Sequence, residues 1–125
     1  MKKIEAIIRE ERLEAVKQAL EKGGYFSMTV SEVSGRGEQR GLTLHWRFGL
    51  YLVDLLTKLK LEMVAQDKEV DTIVNTIIEN ARTGDIGDGK IFIIPVENAI
   101  RVRTGERGDI VINKVIKTKE ESKTK

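Results

Sequence analysis

Two amphipathic helical stretches, each framed by strand-like runs, divide this chain into halves of the same order. In the first half Lys2 to Ile8 carries Ile4, Ala6, Ile7 and Ile8, a short apolar run that suits a buried strand. From Arg12 onward Leu13, Val16 and Leu20 fall at i, i+3 and i+7, one stripe of a helix that Gly23 and Gly24 would stop. Tyr25 to Val33 then alternates, with Val30 and Val33 as β-branched positions, and reads as a second strand. In the second half Lys58 to Val64 sets Leu59, Leu61 and Met63 on one face and Lys58, Lys60 and Glu62 on the other. Asp67 is the expected cap of a second helix, in which Val70, Ile73, Val74, Ile77 and Ile78 keep the helical period. Lys90 to Val96 supplies a fourth strand, and Ala99 to Arg103 begins a short fifth one.

The order is β-α-β, a long connection, then β-α-β. It predicts an α+β fold, the ferredoxin-like βαββαβ sandwich whose two helices cover one face of an antiparallel sheet. A length of 125 residues with 40% hydrophobic content fits one domain with one core, needing no disulfide or structural metal. Zero Cys excludes disulfide scaffolds, thiolate zinc sites and cysteine nucleophiles. His45, the single histidine, leaves no material for a His-based metal site or a Ser-His-Asp triad. No apolar run approaches the roughly 18 residues that would span a bilayer, and the start lacks a small-residue cleavage site. A cytoplasmic protein is the expectation. Residues 113–125 carry five Lys against two Glu; set against a net charge of +2, that surplus leaves the body slightly negative. A nucleic-acid partner would call for a basic body and is not expected. The tail is polar and aperiodic, and disorder is expected beyond about Val115.

Two segments exceed a minimal sandwich. Arg82 to Lys90 matches the first half of a P-loop, with Gly84, Gly89 and Lys90 in register. Ile91 stands where a magnesium-binding Ser or Thr would be, and the segment runs from helix into strand, the reverse of a P-loop. Its glycines can still free backbone N–H groups into an anion nest beside Lys90; an ordinary Gly-rich turn is the other reading. Arg101 and Arg103, at i and i+2, would share one face of a strand and could grip a polyphosphate, or simply charge a solvated edge. The connection from about Gly35 to Thr57 is too long for a structureless loop unless it is functional. Its Gly35-Arg36-Gly37 start is not a dinucleotide fingerprint: the third glycine, Gly41, falls one place late and no helix follows. Within it every even position from Leu42 to Leu52 is apolar: Leu42, Leu44, Trp46, Phe48, Leu50 and Leu52. That stripe is either a core strand or an apolar edge meant for a partner, and its place inside a complete frame favours the partner. No nucleophile stands with a base and no carboxylate pair stands out, so an enzyme is not expected.

The assembled pieces resemble the PII nitrogen-regulatory signalling family over about residues 1–112. The blocks that carry the resemblance are Met1 to Ile4 with Ala6 to Ile8, Met28-Thr29-Val30, Thr83-Gly84 with Ile86 to Phe92, and Arg101 to Glu106. Gln39, Gly41, Tyr51, Val53, Asp54 and Lys58 add to them, and the spacing between blocks matches without gaps.

The resemblance implies a homotrimer with a nucleotide site in each cleft between subunits, where ATP and ADP compete and 2-oxoglutarate binds beside Mg-ATP. It implies a domain over 1–112, with an effector arm or T-loop at 37–55, a B-loop at 82–90, a C-loop at 101–112, and a Lys-rich tail at 113–125. Carried over, Gly87, Gly89, Lys90, Arg101 and Arg103 would hold phosphates, with Gly35, Gly37 and Asp88 also in the ATP/ADP site. Thr29, Glu62 and Val64 would line the adenine pocket. Gln39 would ligate magnesium and, with Gly41, Lys58 and Gly87, contact 2-oxoglutarate. The arm would dock on an ammonium channel, glutamine synthetase or a nitrogenase-system protein through Trp46, Arg47 and Phe48, a channel recruiting the protein to the inner membrane face. Tyr51 is nucleotidylated in some branches, which its altered surroundings argue against here. The departures gather in the arm: Glu38 replaces a usual Arg, Arg36 a usual aromatic, Thr57 a usual Pro, and Leu42, Leu44, Trp46, Phe48 and Leu50 a more polar set. Arg9-Glu10-Glu11 likewise replaces a Lys-Pro-aromatic step. The alternative that Glu38 motivates is an adenine-nucleotide sensor without 2-oxoglutarate response, serving another pathway.

Overall fold

The computed structural model describes residues 1–36, 42–46, 49–53 and 55–113, the two middle stretches through their backbone pairing. Strand β1 (Lys2–Ile8) is followed by helix α1 (Leu13–Lys22) and strand β2 (Thr29–Gly35). Strands β3 (Leu42–Trp46) and β4 (Gly49–Val53) come next, then β5 (Leu56–Ala65), helix α2 (Val70–Ala81) and β6 (Gly89–Pro95). The main sheet has the order β2-β5-β1-β6 with every neighbour antiparallel, which is the ferredoxin-like arrangement.

Alternation decides the layers. Ile4, Ala6 and Ile8 of β1 and Leu59, Leu61, Met63 and Ala65 of β5 turn to one face and are buried. Both helices cover that face: Val16 and Leu20 from α1, and Val70, Ile73, Ile77 and Ala81 from α2, complete the core. The opposite face is open and carries charge. Glu5 lies directly across from Glu62, a like-charge opposition that would weaken the pairing. Lys60 sits between them, 3.3 Å from Glu5 and 3.6 Å from Glu62, and Lys3 reaches Glu62 at 2.6 Å.

Three local expectations are corrected. Strand β2 starts at Thr29, because the Tyr25 amide donates to the Leu20 carbonyl (2.9 Å) after Gly24 turns left-handed, so Tyr25 belongs to the close of α1 and packs in the core. Asp67 does not cap α2: a short 3-10 turn, Asp67–Glu69, leads in, and the Asp67 carboxylate pairs with the Met1 ammonium at 2.7 Å. No fifth strand forms at Ala99–Arg103; a single bridge joins Ile100 to Arg107.

The long connection is a hairpin that forms a sheet of its own, with Leu42 opposite Val53, Leu44 opposite Tyr51 and Trp46 opposite Gly49. Opposed positions of an antiparallel ladder share a face. The even positions of β3 therefore sit with the odd positions of β4, and the reversal divides the six-residue stripe that the sequence shows as one. The expected tail disorder lies outside the described residues.

Candidate functional site

Between α2 and β6 the glycine-rich segment closes on Asp88. Its carboxylate accepts hydrogen bonds from the Thr83 amide (2.8 Å), the Gly84 amide (2.9 Å), the Thr83 hydroxyl and Arg9 Nε (3.0 Å). These donors, the Thr83 hydroxyl first, hold the carboxyl well below the usual carboxylate range. Arg9 Nη2 also donates to the Ile86 carbonyl at 2.9 Å. Gly84, Gly87 and Gly89 take φ of 95°, 101° and 110°. At Gly89 the requirement is steric as well, since a Cβ would lie 1.7 Å from the Ile7 carbonyl oxygen. From β5 the Lys58 ammonium donates to the Gly87 carbonyl at 2.8 Å. Burial, and then the neighbouring Arg9 charge, lower the Lys58 pKa below the ordinary lysine value.

A cavity of about 380 Å³ opens on this loop and is walled by Gly35, Lys58, Gly87, Asp88, Gly89 and Lys90 among others. Those six expected site residues, scattered over 55 positions of sequence, thus meet at one place. Gly37, Gln39, Gly41, Arg47 and Phe48 lie outside the described residues, while Trp46 and Tyr51 are placed in the hairpin backbone.

A second cavity, also about 380 Å³, contains Thr29, Glu62 and Val64 together with Gln66 and the segment Val111–Asn113. Beside it the Tyr25 hydroxyl donates to Glu69, and Gln66 donates to Asn113. The Lys3 ammonium keeps the Glu62 pKa below its ordinary value through a direct hydrogen bond. The two cavities flank opposite ends of β5; at about 3.3 Å per residue, Lys58 is roughly 13–20 Å from Glu62 and Val64. Within one chain, therefore, the three residues expected to line an adenine pocket and the glycine loop do not meet.

The arginine pair is corrected too. Arg101 and Arg103 do not share a strand face: the Gly105 amide donates to the Arg101 carbonyl (2.7 Å) and the Arg101 amide to the Glu106 carbonyl (2.9 Å), closing a tight turn. Gly105, at φ 73°, permits it. The Arg101 guanidinium pairs with Glu106 and donates to the Ile110 carbonyl at 3.3 Å, whereas Arg103 is exposed.

Sequence reasoning did not assign a site role to Arg9 or to the wall residues Ile7, Leu56 and Phe92, and it gave Val111 and Ile112 only a place in the C-loop. It is the β1–β6 register of the folded sheet that brings Arg9 to the loop. Ile8 lies opposite Gly89, so the residue just past Ile8 meets the residue just before Gly89.

A family model described as Nitrogen regulatory protein P-II matches residues 1–106. The chain is 57% identical over 108 residues to Nitrogen regulatory protein P-II 2 of Methanothermobacter thermautotrophicus, covering 86% of this chain and 94% of the relative. It is 57% identical over 107 residues to Nitrogen regulatory protein P-II of Nostoc punctiforme, covering 86% and 96%. Among solved structures, Arabidopsis thaliana PII bound to citrate superposes with a TM-score of 0.72 at 46% identity, covering 87% of this chain and 89% of that one.

Proposed function

This chain belongs to the nitrogen regulatory protein P-II family, a family of signalling regulators, and from that premise we propose a ligand-sensing function for it. The protein binds ATP or ADP and 2-oxoglutarate and regulates nitrogen metabolism by docking its β3–β4 arm on a partner protein. The observation that carries this reading is the cavity at the glycine loop, where Lys58 and Lys90 bring two cations to a backbone freed by three left-handed glycines. Cations beside the backbone of a glycine-rich turn suit phosphate and carboxylate oxygens. The citrate in the Arabidopsis protein, a polycarboxylate held by the same fold, supports an anionic effector here as well.

Thr29, Glu62 and Val64 contribute the adenine wall from a neighbouring subunit of a homotrimer, which answers their separation from the glycine loop within one chain. Arg101 and Arg103 reach phosphates across the same junction. A magnesium ion would rely on phosphate oxygens and on Gln39, since Asp88 gives its oxygens to the loop's own donors. The protein works in the cytoplasm, where differential ligand affinity shifts the arm between two states. Among the described residues no helix is long and apolar enough to cross a membrane.

Titration calorimetry with ATP, with and without magnesium and 2-oxoglutarate, tests the reading. Binding of both ligands, each tightening the other, is expected, and Lys58→Ala should weaken 2-oxoglutarate. ATP binding without any 2-oxoglutarate response would favour the pure nucleotide sensor. No nucleotide binding would overturn the proposal.

A further inference from the structure

We infer that Arg9 is a positioning residue that sets the shape of the glycine loop before any ligand arrives. The inference rests on the proposed reading of that loop as a phosphate cradle. Arg9 stands at the end of β1, and its guanidinium splits between two points of the loop: Nε on the Asp88 carboxylate at 3.0 Å and Nη2 on the Ile86 carbonyl at 2.9 Å. These two acceptors flank Gly87, the residue whose carbonyl Lys58, on the adjacent strand β5, holds at 2.8 Å. The Asp88 carboxylate in turn gathers the Thr83 and Gly84 amides. One side chain therefore ties the start, the middle and the end of the loop to the sheet.

The planar fork matters as much as the charge. A guanidinium can satisfy a carboxylate and a carbonyl together in fixed geometry, whereas an ammonium is a single mobile point. The Arg9 side chain is only 15% exposed and that of Asp88 23%, so water competes weakly for either partner. A loop held in this way keeps its shape without first having to order, and an anion binds more tightly for it.

Two measurements on the full chain separate this role from the reading it depends on. Arg9→Met keeps the apolar stem and removes both donors. In the ligand-free protein, hydrogen exchange at the Thr83 and Gly84 amides should speed about tenfold relative to core amides, the factor that goes with one charge-assisted hydrogen bond. ATP affinity by calorimetry should fall by a similar factor, and Arg9→Lys, with charge but no fork, should lie between Arg9→Met and wild type. Unchanged exchange would overturn the inference. Faster exchange with unaltered ATP affinity would also overturn it, leaving Arg9 a structural tether. If Arg9→Met fails to fold, Arg9→Lys decides alone: wild-type exchange and affinity there would sink the requirement for the fork. Wild-type protein that ignores ATP would instead overturn the phosphate-cradle reading, while the exchange comparison would still decide whether Arg9 shapes the loop.

Discussion

Gly89 and Tyr25 show how far single residues govern this molecule. At Gly89 a Cβ would stand 1.7 Å from the Ile7 carbonyl, and that oxygen belongs to a central strand that cannot retreat. Gly89→Ala should cost at least about 3 kcal/mol by chemical denaturation. Gly84, also left-handed but with open space around it, should lose only about 1–2 kcal/mol on the same change. Equal losses at both positions would show that backbone conformation, and not the close approach to β1, makes Gly89 necessary. Tyr25 is legible as aromatic and β-prone, yet its buried ring and its bond to Glu69 arise from the turn that closes α1, where sequence pattern alone puts the start of a strand. Burial first, and then that carboxylate, push its hydroxyl pKa from the ordinary 10 up to about 12. The raised value means that the neutral phenol is favoured in the fold. Its contribution to stability is complete below pH 10 and is lost as pH climbs toward 12. Unfolding free energies of wild type and Tyr25→Phe should therefore converge over that window, and parallel curves would refute the shift.

At the scale of elements, the helices were readable because burial follows a period that sequence displays directly. Val70, Ile73 and Ile77 fall on the covered face of α2, and Ile77→Ala should lose about 2–5 kcal/mol in a denaturant series. How the helix ends is a tertiary matter. Arg12, from the start of α1, donates from Nε and Nη2 to the Asn80 carbonyl at 2.8 and 2.6 Å. That carbonyl belongs to the last turn of α2, where a cation also meets the negative end of the helix dipole. Arg12→Met should lower stability by about 1–2 kcal/mol, and an unchanged midpoint would show that water replaces the guanidinium at no loss. The arm is the converse case. A six-residue alternation looked like one strand, but a reversal within it produced two, and the period of a strand cannot say where the chain turns back.

For the whole molecule the open face of the sheet is the decisive surface. Phe92 is 50% exposed and Ile94 39%, beside the ion pairs of Lys3, Lys60, Glu5 and Glu62. Apolar side chains set among paired charges suit contact with another copy, in line with the proposed homotrimer. Ile94→Glu should therefore reduce the mass found by light scattering from three chains to one and abolish nucleotide binding with it. A variant that stays trimeric would exclude this face as the interface.

Local sequence was enough for the layered α+β fold, for the buried face of β5 and for the glycines the loop needs. Each of these rests on local period or on a backbone conformation that few residues can adopt. Which distant residues meet was settled by packing: Arg9 with Asp88, Lys58 with Gly87, Arg12 with Asn80. Packing also put Arg101 and Arg103 in a turn and set Thr29, Glu62 and Val64, the proposed adenine wall, apart from the glycine loop within one chain. Such meetings depend on strand register and on how loops close, and these are set by the packing of the whole sheet, which no local stretch of sequence records.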